Sequence, residues 1–161
     1  MHIEANRLMT KHLGRAAWES ASVLDVGSLD LNGSYRELVE NRGWVYAGLD
    51  VRDGPNVDVV ADEPYCYPFG DGAFDVVISG STMEHVAAIW LWIPELVRLL
   101  RTGGLLVVVA PHTWKEHRHP ADYWRILPQG MKHLFDATES LERCQFEKCI
   151  SDTVGSGFRR I

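Results

Sequence analysis

The stretch 22-SVLDVGSLDLNGSY-35 decides how the rest of the chain is read. It opens as an apolar, β-branched run ending in Asp25-Val26-Gly27, the pattern of a buried strand that turns into a helix above a ligand. After Gly27 the next glycine comes only at Gly33, with Asp30 and Asn32 between them. A dinucleotide turn of the form G-x-G-x-x-G lets a pyrophosphate approach the helix N-terminus. Here Leu29 stands at the second glycine position, and Asp30 brings a carboxylate to where phosphates would lie. Like charges a few ångströms apart in a low-dielectric cleft cost several kcal/mol. The turn therefore suits a ligand that carries positive charge and no phosphate.

Working outward, further apolar runs read as strands: WVYAGLD (44–50), VDVVAD (57–62), FDVVIS (74–79) and GLLVVVAP (104–111). Between the first two strands, GSYRELVENRG (33–43) has the helical spacing of Tyr35, Leu38 and Val39, and Gly43 suits its C-terminal cap. IWLWIPELVRLLRTGG (89–104) predicts a second helix, with Ile89, Trp90, Ile93, Leu96, Val97 and Leu100 on one face. Its start is expected near Leu91, so that Pro94 falls in the first turn. Trp90 and Trp92 lie on opposite sides, so at most one belongs to the core; Trp18 and Trp44 read as packing residues. MHIEANRLMTKHLGRAAW predicts a helix ahead of the first strand. Strands alternating with helices imply a doubly wound, mostly parallel α/β sheet, with its ligand beyond the carboxyl ends of the strands. The whole chain, 1–161, reads as one domain: an N-terminal helix in 1–20, a cofactor-binding core in 22–110, and an acceptor loop with C-terminal elements in 111–161.

Composition narrows the partners. The 161 residues are 46% hydrophobic and 24% charged, with a net charge of −6 and a pI near 5.6. That balance fits a globular domain and argues against a broad nucleic-acid surface, which needs clustered Lys and Arg. No apolar run is long enough to cross a bilayer, and the N-terminus lacks the apolar centre of a signal peptide. Three cysteines without metal-finger spacing suggest reduced thiols and a cytoplasmic setting.

Asp50 ends the second strand 23 residues after Gly27, where an acid accepts hydrogen bonds from both ribose hydroxyls. S-adenosylmethionine has the required character: an adenosine, an ammonium and a sulfonium, but no phosphate. Asp25 or Asp30 is suited to its ammonium, Gly27 to its methionine part, and Asn32 to capping the helix or meeting the carboxylate. VLDVGSLDLNGSY, YAGLDVRDGPNVDVVAD, YPFGDGAFDVVISGSTMEHV and ELVRLLRTGGLLVVVAP together resemble, in order and spacing, the motifs of class I S-adenosylmethionine-dependent methyltransferases. The resemblance covers residues 22–127. It implies that Gly27 forms the cofactor turn with Ser28 and Asp30 nearby, that Asp50 binds the ribose, and that Val51 packs on the adenine. It further implies that Asp62, with Glu63 beside it, receives the adenine amino group, that Ser79 and Gly80 meet the methionine portion, and that Glu84-His85 matches a common Glu-His pair. The chain departs from the family pattern in its glycine turn and at its end. CQFEKCISDTV (144–154) reads as a sixth strand, and GSGFRRI (155–161) leaves the seventh absent or badly shortened. A homodimer is one way to cover such an edge.

The acceptor is expected against PHTWKEHRHPADYWRILPQGM (111–131), which resembles a methyltransferase subset with a His-x-x-Asp-Tyr-Trp-Arg-like segment. Trp114, His117, Tyr123, Trp124 and Arg125 are the candidate acceptor contacts, suited to a flat or anionic small molecule. For a hydroxyl acceptor a base helps, and His112 is the first candidate, His85 the second, with His117 and His119 behind. His112, His117, His119 and Asp122 do not form a recognised tight-ligand spacing, and Lys115 and Arg118 sit among them, so no metal is expected. The reading is thus methyl transfer from S-adenosylmethionine to a small-molecule or sugar-like acceptor at oxygen. The alternatives are a non-catalytic cofactor-binding or regulatory domain, and a NAD-dependent oxidoreductase, which Leu29 and Asp30 oppose.

Overall fold

A computed structural model describes residues 3–118, 120–138, 141–148 and 153–160, the last two segments as strands. Helix α1 (Ile3–Leu13) precedes β1 (Ser22–Val26), followed by α2 (Arg36–Glu40), β2 (Val45–Asp50), β3 (Val59–Val60) and β4 (Phe74–Gly80). A single 3-10 turn, Met83–His85, then leads into α3 (Ile89–Leu99), β5 (Leu100–Pro111), α4 (Pro128–Asp136), β6 (Leu141–Lys148) and β7 (Thr153–Arg160). The strands form one sheet in the order β3-β2-β1-β4-β5-β7-β6. The first five are parallel to one another, while β7 runs antiparallel to both β5 and β6.

The apolar runs form central strands because alternate residues are buried on opposite faces. Leu24, Val26, Val77, Leu106 and Val108 pack beneath α3 and α4. Val23, Val76, Ile78, Leu105 and Val107 face the other way, onto Leu8, Met9 and Leu13 of α1. Burying each such side chain is worth about 1.5–3 kcal/mol. Trp44 is buried beside Trp18, as expected for packing residues. The order of strands reverses between β1 and β4, which opens a crevice above their carboxyl ends. Among the described residues no helix is long and apolar enough to cross a membrane.

Several boundaries differ from the sequence expectation. The seventh strand is present: Thr153–Arg160 pairs with β5 from Leu105↔Arg159 to Pro111↔Thr153. The run expected as one strand over 144–154 is instead divided between β6 and β7. The uncovered edge that motivated a homodimer is therefore filled by the chain's own β7. Helix α2 has only five residues, and α1 ends at Leu13 rather than near Trp18. Helix α3 starts at Ile89, so Pro94 lies inside it, on an exposed face where the missing N–H and the ring are tolerated. Trp92 is 1% exposed and Trp90 58%, so the core face carries Trp92 in place of the expected Trp90.

Candidate active site

The crevice between β1 and β4 opens into a cavity of about 660 Å³. Its floor is the turn after β1. Gly27 has φ +82°, and a Cβ there would lie 2.1 Å from the Thr82 hydroxyl. Only glycine fits both the dihedral and the close approach. The N–H groups of Gly27 and Ser28 both donate to the Leu49 carbonyl, at 2.8 and 3.0 Å, which ties the turn to the end of β2. There Asp50 accepts from the Leu29 N–H (3.2 Å) and the Arg52 N–H (3.1 Å), so its carboxylate is positioned by backbone before any ligand arrives.

Asp25 lies deeper. It is 2% exposed and accepts a 2.6 Å hydrogen bond from the Tyr46 hydroxyl. Burial pushes its pKa from 3.8 up to about 7; the Tyr46 bond opposes the rise and the Asp50 charge adds to it. Behind it the Asn56 amide donates to the Tyr46 hydroxyl and to the Ser28 carbonyl, both at 2.8 Å. Arg36 in turn donates to Asn56 (2.8 Å) and to Asp58 (2.7 Å). Asn56 sits at φ +71°, a conformation that asparagine tolerates better than most residues. Sequence reasoning passed over this network; the one signal for it was the Gly54-Pro55-Asn56 turn.

Asp25, Gly27, Ser28, Asp50, Val51 and Gly80 of the expected cofactor set line the cavity. Asp30, Asp62, Glu63 and Ser79 lie off its wall. The Asp30 carboxylate accepts from the Gly33 N–H at 2.6 Å, closing its own turn, and faces a separate hollow with Arg36 and Asn56. The β3 strand stops at Val60, leaving Asp62 and Glu63 exposed, and Pro64, Tyr65 and Tyr67 take the cavity wall beyond them. Ser79 is fully buried and donates to the Val26 carbonyl at 2.7 Å, joining β1 to β4.

The far wall is made where the Met83–His85 turn meets the loop after β5. The Glu84 carbonyl accepts the Tyr123 N–H at 2.7 Å, and the His85 ring nitrogen Nδ1 donates to the Ala121 carbonyl at 2.5 Å. Asp122 holds Arg125 through two hydrogen bonds of 2.5 and 2.6 Å and accepts the His117 N–H at 2.7 Å. That guanidinium holds the Asp122 carboxyl well below the usual carboxylate range. Trp114, His117 and Tyr123, three of the candidate acceptor contacts, line the cavity. Trp124 and Arg125 do not: Trp124 packs on the core and donates to the Val86 carbonyl (2.8 Å), while Arg125 ties the loop to the Trp114 and Lys115 carbonyls. Of the histidines, His85 and His117 reach the wall; His112 does not, and His119 lies outside the described residues.

Glu84, quoted above only as part of a motif, is the group at the centre of this wall. It is 1% exposed, and neither carboxylate oxygen is hydrogen-bonded to another described residue. Burial pushes its pKa from 4.5 up to about 7, opposed first by its own backbone N–H and then by Arg125, with Asp122 adding to the rise.

A sheet reversed at β1 and β4, a glycine turn and an acid closing β2 define a Rossmann-like, nucleotide-cofactor class of α/β protein. Residues 24–108 match the methyltransferase-domain family, and the chain belongs to that family. It is 29% identical over 127 residues to a 2-methyl-6-phytyl-1,4-hydroquinone methyltransferase of Synechocystis sp., a match covering 71% of this chain and 39% of that protein. It is 33% identical over 113 residues to an uncharacterized methyltransferase of Mycobacterium sp. (strain KMS), covering 62% of this chain and 44% of the relative. The chain thus spans about two-fifths of the length of these relatives. Among solved structures, the Burkholderia thailandensis 1,6-didemethyltoxoflavin-N1-methyltransferase, with its substrate and S-adenosylhomocysteine bound, superposes with a TM-score of 0.73 at 17% identity. That match covers 98% of this chain and 77% of the other.

Proposed function

We propose that the protein transfers a methyl group from S-adenosylmethionine to a small-molecule or sugar-like acceptor at oxygen. The observation that carries this reading is the acidic lining of the cavity: Asp25, Asp50 and Glu84 face one guanidinium among the described lining residues, Arg52. Asp50 is charged, and burial lifts Asp25 and Glu84 to about 7, so both lose their protons readily beside a cation; such a lining disfavours a pyrophosphate and favours a cationic, phosphate-free nucleoside. Asp50 takes the ribose hydroxyls, with Val51, Tyr65 and Tyr67 around the adenine. Gly27 and Gly80 leave room for the methionine portion, and Asp25 faces its ammonium. This arrangement points the sulfonium toward Trp114, His117 and Tyr123, where a flat acceptor is held for in-line attack. Such positioning is worth several kcal/mol of the barrier.

A hydroxyl acceptor must lose its proton. Because His112 lies off the wall, His85 takes the first place among candidate bases, beside Glu84 and His117. The membership in the methyltransferase-domain family supports the reading, as does the bound S-adenosylhomocysteine of the Burkholderia enzyme.

Calorimetry with S-adenosylhomocysteine is the direct test. Saturable one-to-one binding is expected, with Asp50→Ala weakening it by at least about a hundredfold, since two ribose hydrogen bonds to a charged group are lost. No heat from a folded protein, or a response to NAD instead, overturns the assignment. Cofactor binding without transfer to hydroxylated aromatics and sugars reduces the protein to a cofactor-binding domain.

A further inference from the structure

The Glu84 carboxylate has a further use. Glu84, His85 and His117 each offer one donor atom to the cavity wall, and these atoms lie within 4.8 Å of one another. The Nε2 atoms of His85 and His117 both stand 3.9 Å from Glu84 Oε1, with the two rings edge-on at 4.9 Å. A buried carboxylate that no other residue's donor reaches is costly unless a cation compensates it.

The two imidazoles are oriented from behind. A carbonyl only accepts, so the 2.5 Å contact to Ala121 puts the proton of His85 on Nδ1 and the lone pair on Nε2. His117 Nδ1 faces two oxygens, Asp122 Oδ2 at 3.3 Å and the Lys115 carbonyl at 3.4 Å, with an Arg125 nitrogen slightly farther at 3.5 Å. The nearer acceptors favour the same tautomer. A backbone carbonyl behind one histidine and a carboxylate behind the other are the outer partners that metal-ligating histidines take.

We propose that Glu84, His85 and His117 bind one divalent transition-metal ion, of the zinc or cobalt type, at the acceptor end of the cavity. Two imidazoles and one carboxylate are a donor set that these ions accept, and three protein ligands leave a position open toward the cavity. With ligand distances of about 2.0–2.2 Å, donors of a tetrahedral ion lie about 3.4 Å apart, so the two 3.9 Å edges would close by about half an ångström and the third, within 4.8 Å, by up to about 1.4 Å. The metal set rejected from spacing was drawn within one loop; this one joins residues 33 positions apart, which no local spacing displays. The ion's role rests on the methyltransferase reading: with the ion bound, His85 is a ligand and no longer a base, and the ion instead takes the acceptor oxygen beside Trp114 and Tyr123 and favours its deprotonated form.

Titration with Co²⁺, followed by its visible d–d absorption, tests the site apart from any activity. One equivalent is expected to bind and to be displaced by Zn²⁺. Glu84→Gln and His117→Ala should each weaken binding at least about tenfold, whereas His133→Ala, an exposed histidine on α4, should leave it unchanged. S-adenosylhomocysteine calorimetry on the same variants reports their folding. Absence of saturable Co²⁺ binding, equal affinity in the Glu84 and His117 variants, or an intense near-ultraviolet thiolate band overturns the proposal. Cofactor binding without Co²⁺ binding defeats the metal site alone, and Co²⁺ binding without cofactor binding defeats the methyltransferase reading alone.

Discussion

Asp25 shows how one buried carboxyl ties ligand chemistry to folding. Its folded pKa of about 7 lies above its ordinary 3.8, so between those values the folded chain holds a proton that the unfolded chain releases. The favourable contribution is complete below the ordinary value and declines as pH rises through about 7. Each pKa unit is worth about 1.4 kcal/mol, so the decline amounts to a few kcal/mol. Asp25→Asn keeps an acceptor for the Tyr46 hydroxyl and removes the charge. Urea unfolding at pH 5 and pH 8 should show the wild-type chain losing stability with pH and the Asn variant losing roughly half as much, because Glu84, also raised to about 7, contributes a similar decline; equal slopes contradict the account. Among individual residues, Gly27 and Asp50 were legible in the sequence because each sits at a fixed offset from a strand end. Asp30 and Ser79 had suitable identities and offsets, but a single hydrogen bond turns each away from the cavity. Asn56 and Tyr46 were not legible as site residues, because their roles depend on contacts between segments far apart in the chain, and Glu84, read only as half of a Glu-His pair, faces His117 from 33 positions away.

At the scale of elements, α3 illustrates how packing overrides a local rule. Pro94 suggested a start near Leu91, yet burying Ile89 and Trp92 against β4 and β5 extends the helix upstream of the proline. Trp92 also donates to the Tyr67 hydroxyl at 2.9 Å. Trp92→Ala is therefore expected to cost about 3–5 kcal/mol in chemical unfolding, against less than about 0.5 kcal/mol for Trp90→Ala; comparable losses would mean that the faces are assigned wrongly. The loop after β5 was read from its aromatic and basic content as a set of acceptor contacts. Two of the five candidate contacts, Trp124 and Arg125, are internal scaffolding. Arg125→Ala leaves the Asp122 carboxylate, whose side chain is 2% exposed, without its partner. Faster proteolysis within 112–126 and a raised acceptor KM are expected, with unchanged S-adenosylhomocysteine affinity. Unchanged proteolysis would show that the clamp does not hold the loop.

For the molecule as a whole, the parallel core was readable because its strands are apolar on both faces. Of the last two strands, a sixth was read, over 144–154 instead of Leu141–Lys148, and the seventh was missed. CQFEKCISDTV and GSGFRRI lack that continuous apolar character, and antiparallel strands at a sheet margin need not have it. The β7 strand covers β5 along its length from Leu105 to Pro111. A chain ended after residue 152 would bare that central strand, and such an edge recruits other chains. The shortened protein is expected to sediment as large aggregates while the full chain does not; a soluble, cofactor-binding truncation would show that β7 is dispensable.

The surplus of carboxylates around the cleft also bears on turnover. On the proposed chemistry, giving up the methyl group converts a sulfonium into a neutral thioether, so the departing nucleoside has one positive charge fewer than the arriving one. A negatively lined chamber thus grips fresh donor more firmly than spent donor. Exchange between rounds is driven by the reaction itself, and product inhibition should be weaker here than in a neutral cleft of the same shape.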